Sequence, residues 1–268
     1  MDPQALVLGL IQGLTEFLPV SSSGHLGLAR AVMGIGEPAM AYDLVLHMAT
    51  LLAVIVYFSS DLLTLLVEWL YGFFNKNARN WVGWRFGWAV IAGSAITGPL
   101  GVLLKRWSEA ASMNTFWIGG GFWLTALLLG SAKYIPNGER PVSVWNGAAA
   151  GLMQGLAVMP GLSRSGATIW AGILTGMSRE EAFRFSFLLS IPAIIGATLY
   201  EGRDMGGLGA FFAALPPDWL QGAAIALCGG ILSLFLLRRL VMGDKWWMFS
   251  IYCMLLGTIS LVFSIMGA

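Results

Sequence analysis

The amino-acid sequence predicts an all-α polytopic membrane protein built from two repeats of inverted topology. Its 268 residues are 57% hydrophobic and only 11% charged, whereas a soluble domain carries roughly 25% charged residues. Six apolar runs are long enough to cross a bilayer, which takes about 20 residues in a helix. A polar motif also occurs twice, each time after a short apolar run. Composition, span count and internal repetition therefore point to one class.

The first repeat, residues 1–138, has two short apolar runs followed by three long ones. The short runs, separated by Pro19, are too short to span a membrane. They lie at about residues 5–18 and 24–35, and the spans are predicted at about 42–60, 84–104 and 116–134. We expect a polar loop at 61–83, and we expect Lys105–Arg106 to end the second span.

The pattern restarts after a boundary rich in proline, glycine and charge, and residues 139–268 form the second repeat of the same single membrane domain. Its short runs lie at about 142–159 and 166–177, and its spans at about 183–200, 219–237 and 246–266. Both short pairs are predicted to be re-entrant helix hairpins, because irregular backbone at membrane depth must be buried or line a wet cavity. A full span kinked at proline is the alternative.

Topology follows from the order of these elements. A hairpin returns to its own side and three spans separate the two hairpins, so the second repeat is inverted relative to the first. Such repeats place a polar site near the midplane. Ten lysines and arginines fall on the side of loop 61–83 and four on the other, which makes the first side cytoplasmic. We expect a multi-pass plasma-membrane protein with both termini outside. Its net charge of +1 argues against nucleic acid as a partner.

The repeated motif runs from Gln12 to His25 and aligns without a gap with the segment 154–167. Within this alignment, Ser22 of the first copy corresponds to Arg164 of the second. An ionisable group inside the membrane costs about 3 kcal/mol or more and is a functional candidate by default. Glu16, His25 and Arg164 are therefore expected to meet in one composite site.

The expected chemistry of this site is anion binding combined with acid–base catalysis. Serines and free N–H groups at a helix start bind phosphate oxygens, and arginine adds a bidentate cation. The predicted phosphate-binding hydroxyls are those of Ser21, Ser23, Ser163, Ser165 and Thr168. Ser22 and His25 share a helix face, so hydroxyl and imidazole are expected within reach of each other. Supporting roles are expected for Gln12, Gln154, Asp43 and His47.

These two motifs together resemble the undecaprenyl-diphosphate phosphatase family, also called bacitracin-resistance proteins. The resemblance covers essentially the whole chain. It implies an integral-membrane hydrolase that converts undecaprenyl diphosphate, a polyprenyl lipid, to the monophosphate plus phosphate, recycling the carrier for cell-wall glycan synthesis. It also implies a site opening to the outer face. The family's functional residues fall on Glu16, Ser22, His25, Ser163, Arg164, Ser165 and Thr168.

Several alternatives stay open at the level of sequence. The nucleophile is either Ser22, activated by His25, or a water activated by His25 or Glu16. Glu16 would either orient His25 or bind a divalent cation, Mg²⁺ or Ca²⁺. Many family members carry a second carboxylate where this chain has Gln12, which leaves the metal requirement open. A polyprenyl-phosphate flippase would use the same anion pocket. Small residues in the spans, Gly119–Gly121 and Gly229–Gly230, would permit a homodimer.

Overall fold

The computed structural model describes residues 3–35, 40–203 and 205–266. Twelve α-helices, α1 to α12, and two short 3-10 turns make up the described chain, which contains no β-strand. The predicted all-α class is confirmed.

Six helical segments of the described chain are long and apolar enough to cross a membrane. They are α3 (Met40–Tyr57), α5 (Val82–Ser112), α6 (Thr115–Ala132), α9 (Arg179–Gly202), α11 (Trp219–Met242) and Trp246–Ile265, whose main part is α12 (Phe249–Ile265). Large apolar side chains on these helices are exposed, among them Leu103, Leu232 and Phe263, as expected for surfaces that contact lipid. The six predicted spans are confirmed.

The second span is longer than predicted, because Lys105 and Arg106 do not end it. Helix α5 continues to Ser112. The Lys105 ammonium reaches the Glu109 carboxylate on the next turn, with 3.7 Å between Nζ and Oε1. Long cationic side chains can lie along apolar surface while the charge reaches a polar region, so a charged pair need not terminate a helix.

The predicted polar loop at 61–83 is wrong over most of its length. Helix α4 (Ser59–Phe74) directly follows α3, and a 3-10 turn at Lys76–Asn80 leads to α5. Only two charges interrupt this apolar helix, and both have partners: Asp61 forms an ion pair with Arg184, and the Gly83 N–H donates to Glu68 Oε2 at 2.7 Å. Local polarity therefore marks the start of α5 rather than an extended loop.

The two short pairs are α1 (Pro3–Thr15) with α2 (Ser22–Met33), and α7 (Val144–Leu156) with α8 (Arg164–Leu174). At about 1.5 Å per residue, none of these helices reaches across a hydrocarbon core of about 30 Å. Both breaks fall where proline predicts them, at Pro19 and Pro160. The inverted relation between the two pairs stays a prediction.

Each first short helix packs on a long helix of the other repeat: α1 lies on α11 and α7 lies on α5. Glycines allow the backbones to touch. A Cβ at Gly9 would lie 2.4 Å from the Gly222 carbonyl oxygen, and one at Gly151 would lie 2.3 Å from that of Gly93. Small residues at such crossings permit close helix contact. Through these contacts, the two serine-rich loops that follow α1 and α7, residues 16–23 and 158–165, lie between the repeats.

The glycines that would permit a homodimer are largely used within the chain. A Cβ at Gly121 would lie 2.1 Å from the Pro160 carbonyl oxygen, and one at Gly119 would lie 3.0 Å from that of Gly257. Gly229 lies against Gly13 in the same way. Packing inside one chain accounts for these small residues, and the homodimer stays a prediction.

Candidate active site

Glu16 is the centre of the polar cluster. It directly follows α1, and its side chain is only 4% exposed. Gln12, one turn earlier on the helix, donates its Nε2 hydrogen to Glu16 Oε2 at 3.0 Å. Ser22 donates its hydroxyl hydrogen to the same oxygen at 2.5 Å. The other oxygen, Oε1, forms an ion pair with the Arg164 guanidinium. A buried carboxylate is thus held by a cation and two hydrogen bonds, as a buried charge requires.

Ser22 reaches Glu16 because it is the first residue of α2. Ser21 caps this helix, and its Oγ accepts a hydrogen bond from the Gly24 N–H at 3.4 Å. Ser21 has φ of 64°, in the left-handed region, which is costly for a residue with a Cβ. Residues held in such backbone conformations cluster at functional sites. The sharp turn directs the chain from Glu16 back to Ser22.

Arg164 reaches Glu16 from the opposite loop because it is the first residue of α8. Ser163 caps α8 by accepting from the Gly166 N–H at 3.2 Å. The Ser163 N–H donates to Thr125 Oγ1 on α6 at 2.9 Å, which anchors this loop. Ser165 joins the two loops, because its hydroxyl donates to the Leu18 carbonyl at 3.4 Å. Of the three ionisable residues predicted to meet, Glu16 and Arg164 therefore do so.

Glu16, Ser22 and Arg164 line one cavity of about 520 Å³. Other predicted residues on its wall are Ser21, Ser23, His47, Gln154 and Ser163. The rest of the wall comes mainly from α5 and α9. A cavity of this size among membrane-spanning helices suits a polar headgroup, because ligand pockets commonly measure about 300–1,000 Å³.

Five predicted residues lie outside this wall: Gln12, His25, Asp43, Ser165 and Thr168. Gln12 is connected to the site through its hydrogen bond to Glu16. Asp43 forms an ion pair with Arg30. The hydroxyl of Thr168 lies 2.5 Å from that of Ser186 and donates to the Arg164 carbonyl at 2.8 Å. Thr168 therefore steadies the first turn of α8 rather than facing a phosphate.

The structure does not bring His25 to Ser22. His25 Nδ1 lies 2.8 Å from the Ser21 carbonyl oxygen, and Nε2 lies 2.7 Å from the Tyr252 hydroxyl on α12. Since a carbonyl only accepts, Nδ1 carries the hydrogen and Nε2 accepts from Tyr252. The ring also stacks on Tyr252, with 5.7 Å between centroids. Both ring nitrogens of His25 are therefore engaged away from the cavity.

His47 is the imidazole that faces the cluster. Its Nδ1 donates to the Asp43 carbonyl at 2.8 Å, which leaves Nε2 directed at the site. Nε2 lies 3.9 Å from Glu16 Oε2, the oxygen that Ser22 contacts. The sequence predicted only a supporting role for His47, because its distance from the motif along the chain hid this contact.

The sequence reasoning missed the wall contributed by α5 and α9. Its polar members are Ser94, Thr97, Lys105, Ser108 and Glu109 on α5 and Thr198, Tyr200 and Glu201 on α9. One signal was available: on α5 these residues recur at helical spacing together with Gly98 and Gly101, which indicates one face. Lys105 was instead predicted to end the second span.

The chain offers little for a protein-bound metal. Among the described residues, no group of three histidine, cysteine, aspartate or glutamate side chains is placed to hold an ion. Glu16 is the carboxylate of the polar cluster, and the residue one turn before it is the amide Gln12. Mg²⁺ commonly uses one or two carboxylates and completes its shell with water and substrate phosphates. The residues fit a cation only in that shared form.

Comparison with known proteins identifies the family. The family model described as bacitracin resistance protein BacA matches residues 5–259. A protein of Methanosphaera stadtmanae, named undecaprenyl-diphosphatase, is 37% identical, with 97% of each chain covered. Proteins of the same name from Desulfosudis oleivorans and Chloroherpeton thalassium are 40% and 42% identical. These matches cover 97% and 74% of this chain and 98% and 74% of theirs. The chain belongs to the bacitracin resistance protein BacA family.

Proposed function

We propose that the protein is an integral-membrane undecaprenyl-diphosphatase, which hydrolyses undecaprenyl diphosphate to the monophosphate and phosphate. The observation that carries this proposal is the contact of Ser22 and Arg164 with the two oxygens of Glu16 inside the cavity. Nucleophile, base and anion clamp thereby meet in one place. The names and coverage of the relatives support the same reaction.

Arg164 is the clamp for the terminal phosphate. In the free site it neutralises Glu16, and a bound diphosphate competes for the same guanidinium. Its planar donors suit phosphate oxygens and stabilise charge that develops in phosphoryl transfer. The serine-rich loops at the starts of α2 and α8 add hydroxyls and N–H groups with positive dipole ends.

Ser22 is the proposed nucleophile and Glu16 its base. When Arg164 turns to the substrate, Glu16 is free to accept the hydroxyl proton that Ser22 already directs at it. Ser22 Oγ then bonds to the terminal phosphorus, and the bond from phosphorus to the bridging oxygen breaks, releasing polyprenyl monophosphate. Glu16 passes that proton to the bridging oxygen of the departing monophosphate. Water then gives a proton to Glu16 or His47 and attacks the phosphoserine. The bond from phosphorus to Ser22 Oγ breaks, that proton returns to Ser22 Oγ, and phosphate leaves. A hydroxyl beside a base is the usual arrangement for this two-step chemistry.

His25 is assigned a positioning role. Its bonds to the Ser21 carbonyl and to Tyr252 hold the strained turn that presents Ser22. A water nucleophile activated by Glu16 is the alternative to Ser22. The flippase alternative needs only the anion pocket, and neither the Ser22–Glu16 contact nor the relatives' names favours it.

A divalent cation, Mg²⁺ or Ca²⁺, is part of the proposal only as a partner of the substrate. Glu16 would contribute a carboxylate, and phosphate oxygens and water the remaining ligands. Such an ion would neutralise phosphate charge. With Gln12 in place of a second carboxylate, we expect weaker dependence on the ion than in relatives with two.

The protein is a multi-pass membrane protein, and we propose a plasma-membrane location with both termini and the cavity mouth on the outer face. The excess of lysine and arginine on the opposite side supports this orientation. Cysteine labelling of Lys105→Cys at the mouth with an impermeant reagent, in intact cells, tests it. Labelling only after lysis would contradict the proposal.

The proposed reaction is tested by phosphate release from undecaprenyl diphosphate with purified protein in detergent. Wild type should release phosphate, and Ser22→Ala should not form product above background. Ser112→Ala is the control, because Ser112 is an exposed serine at the end of α5 that lies outside the cavity wall. Retained turnover in Ser22→Ala would make water the nucleophile. Retained turnover in the presence of a chelator would show that the reaction needs no divalent cation.

A further inference from the structure

Two glycines on the cavity wall have no neighbour that explains them. Gly98 on α5 and Gly196 on α9 line the cavity, and a Cβ at either would meet no heavy atom within 4 Å. Gly93, on the same helix, differs: its Cβ would lie 2.8 Å from the Gly147 carbonyl oxygen. Glycine inside a helix costs about 0.5–1 kcal/mol relative to alanine. Close packing accounts for Gly93 but not for Gly98 or Gly196.

These glycines lie beside the only prolines inside the described helices. Pro99 follows Gly98 in α5, and Pro192 lies one turn before Gly196 in α9. Proline in a helix interior removes a backbone hydrogen bond and bends the helix. Together with Gly101, Val102, Ala193 and Ala197, the two glycines form an apolar part of the cavity wall on α5 and α9, which we call the groove.

Polar atoms without partners indicate that this cavity receives a ligand. Gln154 lines it and is only 3% exposed, yet its Oε1 has no hydrogen-bond partner among the described residues. The same holds for the buried Oγ of Ser94, one turn before Gly98 on α5. A buried polar atom without a partner is costly. A ligand in the cavity would give these atoms a partner if their side chains turn toward it.

We propose that Gly98 and Gly196 keep the groove open for the isoprene units that follow the first one from the diphosphate, and so determine specificity for a long prenyl chain. This inference rests on the proposed function. The tail gains no hydrophobic free energy in the groove, because bilayer hydrocarbon is equally apolar. The groove supplies room: a methyl-branched chain lies along the glycines while its diphosphate reaches Arg164.

The test compares Gly98→Leu and Gly196→Leu with Gly120→Leu. Gly120, on α6, is exposed, and a Cβ there would meet no heavy atom within 4 Å, but Gly120 lies outside the cavity wall. Substrates are undecaprenyl diphosphate and isopentenyl diphosphate, which has a single isoprene unit. Both cavity variants should lose at least about tenfold in kcat/KM for the long substrate and stay within about twofold for the short one. Gly120→Leu should stay within about twofold for both.

A binding measurement separates the groove from the chemistry. Undecaprenyl monophosphate should raise the melting temperature of wild type and Gly120→Leu, and should not raise that of Gly98→Leu or Gly196→Leu. Equal losses of kcat/KM for both substrates would contradict the proposed role of the groove. So would a melting-temperature shift in both cavity variants equal to that of wild type. If wild type shows the shift but hydrolyses neither substrate, the proposed function fails while the groove stands. The two positions lie on different helices, so misfolding of one variant leaves the other as a test.

Discussion

The two serine-rich loops have the same cap and carry different chemistry. Ser21 caps α2 and Ser163 caps α8, each through the N–H three residues later. The capping hydroxyl lies 3.3 Å from that of Ser23 in the first loop and 3.2 Å from that of Ser165 in the second. The shared residues of the repeat are therefore mainly those that start a helix.

The loops differ at the residue directly after the cap. The first loop has Ser22 there and the second has Arg164, and both side chains reach Glu16, one at each carboxylate oxygen. The repeat therefore supplies two equivalent helix starts. Under the proposed mechanism, the serine at this position is the nucleophile and the arginine at the matching position is the anion clamp.

The largest expected effect comes from removing the clamp. Arg164→Ala should lower kcat/KM for undecaprenyl diphosphate by about a thousandfold or more, because a single arginine contributes about 10³–10⁵ in phosphoryl transfer. It also leaves Glu16 buried without its cation, which costs about 3–5 kcal/mol of stability. Arg164→Lys keeps the charge and separates these effects. A folded Arg164→Lys protein with wild-type kcat/KM would show that bidentate geometry is not needed.

Removing the carboxylate that the two loops share should have the next largest effect. Glu16→Gln keeps the shape and the buried position but cannot accept the Ser22 proton. We expect kcat to fall by about 10²–10⁴, the usual contribution of a positioned base. Val158→Ala is the control, because Val158 occupies the matching position of the second loop. Steady-state phosphate release measures both. Unchanged kcat in Glu16→Gln would mean that another residue is the base. His47, whose Nε2 lies 3.9 Å from Glu16 Oε2, would be the next candidate.

A smaller effect is expected from loosening the first loop. The second loop is anchored through Thr125, whereas the first uses His25 and Tyr252. Tyr252→Phe removes one hydrogen bond of about 1 kcal/mol and should lower kcat about threefold to tenfold by displacing Ser22. His25→Ala should cost more, and the double variant less than the product of the two. Independent, multiplying losses would mean that His25 acts on the substrate directly.

The smallest expected effect concerns the caps themselves. Ser163 has φ of −72°, whereas Ser21 has φ of 64°. Ser163→Gly should lower the unfolding free energy by a few tenths of a kcal/mol, the usual cost of glycine at this cap. Ser21→Gly also relieves about 1–2 kcal/mol of left-handed strain and should raise it. Reversible unfolding in detergent compares the two. Equal destabilisation would contradict a strained first turn.

Much of this architecture could be predicted from the sequence, because each span is a local property. A run of apolar residues sets the length of a helix, and Pro19 and Pro160 mark where the short helices stop. Polarity was a poorer guide at span ends. Lys105 lies within α5, and most of the predicted loop 61–83 is helix α4, because a few charges in an apolar segment do not stop a helix when partners or interfaces accept them.

The site was predictable where it lies within the repeated motif. Gln12, Glu16, Ser22 and Arg164 meet as the alignment of the two copies suggests. The expected Ser22–His25 contact did not follow, although the two residues are one turn apart. A residue on another helix, Tyr252, holds the imidazole, and helical spacing carries no information about such a partner.

The amino-acid sequence predicts the membrane class, the six spans, the two broken helix pairs and the residues of the two loops. Hydrophobic length and proline act locally, so a linear reading suffices for them. The fold is needed to see that His47 is the histidine that faces Glu16. It is also needed to see that Gly98 and Gly196 border open space while Gly93 packs against backbone. Those outcomes depend on which helices are neighbours, and helices distant along the chain become neighbours only through packing.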